Sequence, residues 1–297
     1  MAGLNTTDAN SVLEQLNESL RSALELIEAL KFGEARELLD FSRAQLKAEI
    51  GGYSSPDELF LNDCYVLDAY VDFFFSYILL WEQVVNGKFS SSWDSLQNSL
   101  DLLRILKKFS RINITFFERQ LIELEKLYPY RIFFSVGMTV GHFECSICGG
   151  DIYSPDCPHT RGMLYGGKMA CAIARDIIEM DHVSMVANPE DKRCVPQYAD
   201  NSGGFNILRY LALSISSSKA TVLSFHHSER SKRKIPRSEF PSLGRNQLCF
   251  CGSKRKFKKC CLPLEETEVD HTQLVAQESR VMDAIPGDEY PTLSIEN

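Results

Sequence analysis

Apolar residues recur at helical spacing from residue 8 to about 130, and the pattern predicts one helix after another. The first helix runs to about Leu30, with Ser11 and Glu14 placed as a capping box in its opening segment. The second starts near Gly33 and stops at Gly51-Gly52. Ser55-Pro56-Asp57-Glu58 is the clearest start signal: serine caps, proline suits the first helical position, and a glutamate follows three residues after the serine. That third helix ends at Asn86-Gly87. Ser91 or Ser92 opens a fourth, carrying Leu96, Leu100, Leu103 and Leu106, and Asn113 caps a fifth that ends before Pro129. The short connections predict antiparallel neighbours, as a bundle or a helical-repeat-like domain over residues 1–130, although no fixed period emerges.

The most apolar stretch, Cys64 to Trp81, is long enough to raise the question of a membrane span. Asp68 and Asp72 lie inside it, and each would cost roughly 2.5–3.5 kcal/mol at a bilayer centre. With Ser76 they fall four apart, so all three share one face. That is the polar stripe of a helix otherwise buried in a bundle, and Phe73, Phe74, Phe75, Tyr77 and Trp81 are then core.

From Arg131 the texture changes to glycines, cysteines and short β-prone runs, giving an α+β chain overall. Lys168 to Ile173 and Ile177 to Val186 predict a hairpin within a central module over residues 131–222, and a short helix follows at Gly204 to Ser214. Residues 223–243 are polar, basic and proline-containing and predict a flexible linker. Residues 244–263 are rich in cysteine and lysine. The acidic segment 264–297 has little periodicity and predicts disorder.

The 297-residue chain carries a formal net charge of −8, which argues against a molecule coated in nucleic-acid-binding charge. The N-terminus lacks the basic and apolar regions of a signal peptide, so a cytoplasmic, reducing location is expected. Ten cysteines in that setting point to metal ligands and core thiols before disulfides.

Eight of the chain's cysteines and histidines make two compact sets. Cys249, Cys251, Cys260 and Cys261 stand as Cys-x-Cys, eight residues, Cys-Cys. So small a segment cannot bury a core, but a Zn²⁺ ion held by four thiolates supplies on the order of 10–16 kcal/mol. Gly252-Ser253 favours the turn between the pairs, and Lys254, Arg255, Lys256, Lys258 and Lys259 offset the charge of a tetrathiolate centre. Upstream, Cys145 and Cys148 form a Cys-x-x-Cys knuckle before Gly149-Gly150. Cys157 and His159 follow, and a second zinc site of Cys₃His type is expected, with Cys171 as the alternative fourth ligand. A redox Cys-x-x-Cys would open a helix, which Gly149-Gly150 and Pro155 oppose. Cys64, Cys171 and Cys194 are expected to be buried or half-buried thiols.

The stretch GRNQLCFCGSKRKFKKCC, residues 244–261, resembles the SEC-C motif, the small zinc module at the C-terminus of the SecA translocation ATPase and of many other bacterial proteins. The family usually has proline between the first two cysteines, where this chain has Phe250, and Ser-Gly-Lys where it has Ser253-Lys254-Arg255. No P-loop of a SecA motor is present in the sequence. In SecA the module docks the chaperone SecB and ribosomal or lipid partners, so the resemblance implies zinc and a docking role toward a protein, chaperone or ribosome. A purely stabilising staple is the competing reading.

Two other functions follow from other residues. Between Ser228 and Cys261 stand eleven Lys or Arg and two acidic residues, while the chain after Cys261 has nine acidic residues and one Arg. The basic strip 228–259 suits phosphate, making a nucleic-acid-binding factor the first alternative. The second is a zinc-dependent hydrolase centred on Cys145–His159. Four protein ligands would close the shell that catalysis needs open, and no His-Glu-x-x-His is present. The leading expectation is therefore a non-enzymatic zinc-binding adaptor with two ions.

Overall fold

The computed structural model describes residues 4–53 and 56–276. The chain divides into two compact units, the second spanning Phe225–Gln277. Six α-helices and three two-stranded antiparallel sheets occur among the described residues.

In the first unit, α1 (Thr7–Glu28), α2 (Phe32–Gly51), α3 (Glu58–Val85), α4 (Phe89–Phe109) and α5 (Thr115–Glu125) form the helical bundle. Helix α3 is the centre of it and touches α1, α2 and α4. It is long and apolar enough to cross a membrane, but 67% of its most apolar window is buried inside the bundle. Its aspartates do what a polar stripe does: Asp72 is exposed and pairs with Arg43 of α2. Phe73, Phe74 and Tyr77 pack edge-on against Phe117 of α5 with ring centroids 5.2–5.3 Å apart, close to the preferred aromatic geometry.

The caps differ in detail from the pattern. Thr6, not Ser11, caps α1, accepting a hydrogen bond from the Ala9 amide. Asp57 caps α3, accepting from the Phe60 amide at 2.7 Å, and Ser55 lies outside the described residues. The fully buried Asp63 carboxylate accepts hydrogen bonds from the Thr6 amide (2.7 Å), the Thr6 hydroxyl (2.9 Å) and Asn5 Nδ2 (2.8 Å). It thereby fastens the start of α1 to α3. Gly87 takes a φ of 72°, the left-handed value at which glycine ends a helix without strain.

The central region is not separate from the bundle. Helix α6 (Asn206–Ser216) packs on α3, and Gln120 of α5 joins the Tyr77 hydroxyl (2.5 Å) to the Val222 carbonyl (3.0 Å). Lys192 forms an ion pair with Glu125, and Trp93 Nε1 donates to the Lys192 carbonyl at 2.8 Å.

The expected hairpin of Lys168 to Ile173 with Ile177 to Val186 is replaced by a longer pairing. Strand β1 (Phe133–Cys145) runs antiparallel to β4 (Ala172–Val186), while β2 (Leu164–Tyr165) pairs with β3 (Lys168–Met169). Two features hid this. Gly137 and Gly141 interrupt the apolar alternation of β1, and two register shifts interrupt the ladder. Gly137 is small because the His182 ring lies across it: a Cβ there would sit 2.6 Å from Cε1. Residues paired across a ladder point to the same face. One face of the ribbon carries Phe134 opposite Met185, Val136 opposite Val183, Met138 opposite Met180 and Val140 opposite Ile177. The other carries Ser135 opposite Ser184, Gly137 opposite His182 and Thr139 opposite Glu179.

In the second unit, the expected linker 223–243 and the expected disordered segment 264–297 are both corrected over part of their length. Phe225–Pro236 is strand β5, and it pairs antiparallel with Glu266–Ala276, strand β6. Charge complementarity explains the pairing: Lys232 lies opposite Asp270 and Lys234 opposite Glu268, and opposite charges facing across a ladder favour its register. Composition had shown two charge blocks but not that they meet. The remainder of the acidic segment, residues 277–297, lies outside the described residues.

Candidate metal centres

Each cluster closes the tip of a ribbon. Cys145 is the last residue of β1, paired with Ala172, and the loop between them folds into the first centre. The Cys145 amide donates to the Gly150 carbonyl (2.7 Å) and the Gly149 amide to the Cys145 carbonyl (2.9 Å). Gly149, at φ 75°, makes this tight return possible.

Cys145, Cys148, Cys157 and His159 place one donor atom each within 4.8 Å of one another. Cys145 Sγ lies 3.6 Å and Cys157 Sγ 3.8 Å from His159 Nδ1, and Cys148 Sγ lies 3.7 Å from Cys157 Sγ. A tetrahedral ion with metal–sulfur bonds of about 2.3 Å and metal–nitrogen bonds of about 2.05 Å requires edges of about 3.8 Å and 3.6 Å. These distances fit a metal shell and are far too long for a disulfide, whose sulfurs sit about 2.05 Å apart. His159, through Nδ1, completes the set of four donors that could hold an ion. Cys171 is outside the set and exposed, contrary to its expected burial, and Cys194 is exposed too. Cys171 lies just before β4, where its amide donates to Ser146 Oγ at 2.8 Å and its carbonyl accepts from the Ser146 amide at 3.0 Å.

The β2–β3 turn supports the histidine. Tyr165 meets the His159 ring edge-on at 4.8 Å, and its hydroxyl accepts a hydrogen bond from the Thr160 amide at 2.9 Å. Gly166 and Gly167 both take positive φ, as a two-residue hairpin turn requires. The turn also meets the bundle: the Gly167 amide donates to Asn62 Oδ1 at 2.8 Å, and a Cβ on Gly167 would lie 3.0 Å from the Leu61 carbonyl. Lys108 Nζ donates to the Gly162 carbonyl at 2.6 Å.

The second centre gathers Cys249, Cys251, Cys260 and Cys261, again with all four sulfurs within 4.8 Å. Cys251 and Cys260 are 3.5 Å apart, and Cys260 and Cys261 3.8 Å. The Cys249 amide donates to the Arg255 carbonyl (2.7 Å), the Phe257 amide to the Gln247 carbonyl (2.8 Å) and the Lys258 amide to the Arg245 carbonyl (3.0 Å). Phe250, standing where proline is usual, packs between Phe240 (5.1 Å) and Phe257 (5.8 Å) and adds apolar cover to Cys249 and Cys261. Two residues of the turn are left-handed, Gly252 at φ 78° and Lys254 at φ 58°, the second without glycine's freedom.

The thiols differ in how readily they ionise: Cys145 and Cys251 are held below the usual thiol range, Cys157 and Cys261 above it. The Ser253 hydroxyl, then its amide, lowers the Cys251 pKa to about 6 against the opposing effect of burial. Burial pushes Cys261 up to about 12, and the neighbouring sulfurs of Cys249, Cys251 and Cys260 add to this while the Thr267 hydroxyl opposes it. One anion thus hinders the next, and a divalent cation removes that conflict. At Cys145 the Cys148 amide, with that of Ile147, lowers the pKa. Tyr165 and Thr267 were not found from sequence, and Ser253 was read there only as a turn residue. Thr267 lies on β6, inside the segment expected to be disordered, and only the strand brings its hydroxyl to within 3.3 Å of Cys261 Sγ.

Residues 245–263 match the family model of the SEC-C motif. The match covers this segment of the chain alone. Comparison with curated proteins and with solved structures gave no match.

Purified under reducing conditions with metal supplied, the chain is expected to hold two equivalents of ion. Cys148→Ser should remove one and Cys260→Ser the other, each leaving its counterpart filled, as elemental analysis would read. Loss of both ions from either variant would contradict two independent shells. Lys254→Gly should relieve the left-handed strain and strengthen metal retention at the second centre by about 0.5–1 kcal/mol. Chelator competition would measure this, and weaker retention would contradict it.

Proposed function

We propose that the chain is a zinc-stabilised docking protein whose C-terminal module takes an acidic protein surface. The donor sets, Cys₃His and Cys₄ at tetrahedral spacing, suit Zn²⁺. Four protein donors fill each shell and leave no position for a water nucleophile, which favours structural over hydrolytic use.

The observation that carries the docking reading is the surface of the second centre. Arg245, Lys254, Arg255, Lys256, Lys258 and Lys259 are exposed there, and none forms an ion pair among the described residues. Leu248 is 67% exposed and Leu264 44% exposed. A cationic surface with protruding leucines matches an acidic, partly apolar protein segment better than a bare phosphate backbone. The basic strand β5, the other half of the basic strip, already faces the acidic strand β6, which weakens the nucleic-acid reading.

Affinity capture from nuclease-treated lysate with zinc-loaded full-length chain tests this. A captured protein should be reduced at least about tenfold by Leu248→Asp and by Lys258→Glu with Lys259→Glu. Capture that disappears with nuclease, or that ignores these substitutions, would overturn the reading.

A further inference from the structure

The β1–β4 ribbon is held at both ends and uncovered between them. At its base, Phe133 is buried beside Trp93, with ring centroids 6.3 Å apart, and the Phe134 amide donates to the Cys194 carbonyl at 2.8 Å. At its tip stands the first metal centre, itself fastened to Asn62 and Lys108. Between these anchors the face with four apolar cross-strand rows has no cover. Val136, Met138, Ile177, Met180, Val183 and Met185 are 41–74% exposed.

Water-exposed apolar rows of this kind are not what keeps a two-stranded ribbon folded. Such a ribbon is marginal in water unless a hydrophobic face is packed against something. The six exposed residues present on the order of 600 Å² of apolar surface, the upper end of what a monomer ordinarily shows. No charged residue stands in the four rows. The Arg175–Glu144 ion pair (3.0 Å) marks the end of the patch toward the metal centre.

We infer that this face pairs with the same face of a second copy of the chain, forming a homodimer through a four-stranded, two-layer β-sandwich. Four rows without charge offer little by which to select an unlike partner, whereas a twofold contact needs only that one patch be complementary to itself. Two ribbons twisted in the same sense pack face to face at about 10 Å with their side chains interleaved. Two copies would bury about 1,200 Å² in total, the lower limit for a stable interface. The three methionines, Met138, Met180 and Met185, suit this contact because their unbranched side chains fill irregular gaps. The polar face, with Thr139 and Glu179, remains in solvent. This inference is independent of what the C-terminal module binds.

Sedimentation equilibrium on the metal-loaded full chain tests it. The expected mass is twice 33.7 kDa at about 20 µM protein. Met180→Lys with Val183→Lys should raise the dissociation constant at least about 100-fold, while metal content and helical circular dichroism stay unchanged. Glu179→Lys, on the opposite face, should remain dimeric. Should the double lysine variant lose its metal, Met185→Gln gives the milder test and should weaken the dimer in the same direction. A wild-type chain that is monomeric up to about 100 µM would overturn the inference. So would a dimer equally stable in the folded apolar-face variants.

Discussion

Four donor atoms converging at the closed end, in a set that could hold one ion, are the constraint on which both ribbons rest. A two-stranded ribbon has no core of its own, and its closed end must be fixed by something other than apolar burial. In each ribbon the closing loop supplies the ligands: Cys145 to His159 between β1 and β4, and Cys249 to Cys261 between β5 and β6. The same spacing of eight residues separates the inner ligands of both sets, Cys148 from Cys157 and Cys251 from Cys260. A strand pair, a turn between ligand pairs and four donors recur, and in each loop a glycine at positive φ, Gly149 or Gly252, follows the second cysteine.

The two ribbons solve the remaining stability problem differently. Strands β5 and β6 oppose unlike charges, so their ladder is compatible with full exposure. Strands β1 and β4 present apolar rows, which solvent does not favour. The first ribbon compensates at its ends, through Phe133 against Trp93 and through the Gly167 turn against α3. The helical bundle that receives these anchors is self-sufficient, with Phe73, Phe74, Tyr77 and Phe117 forming a dense aromatic centre.

The helices were legible because their signals are local: 3.6-residue periodicity, the Ser55-Pro56-Asp57-Glu58 start signal, Gly87 at an end, although the cap itself falls to Asp57. The two donor clusters were legible for the same reason, since thiol spacing within a loop is a property of a few adjacent residues. Pairing over distance was not legible. Strand β1 has glycine at positions 137 and 141 because His182 and Asp176 press on them, a reason that exists only once β4 is in place. Strands β5 and β6 look like a linker and a tail because charged strands carry little apolar alternation, and their complementarity depends on a register no local pattern gives. The turn at Ser253-Lys254-Arg255 was an open point in the sequence. The backbone answers it with a lysine in the left-handed region, inside the turn closed by the hydrogen bond from the Cys249 amide to the Arg255 carbonyl.

Hydrogen exchange on the full chain, with its metal and after chelation, tests the central claim most directly. The account predicts that chelation removes protection from the Cys249, Phe257 and Lys258 amides and from the loop between Cys145 and Cys157, while α3 keeps its protection. Unchanged protection in both loops after complete removal of the metal would contradict it.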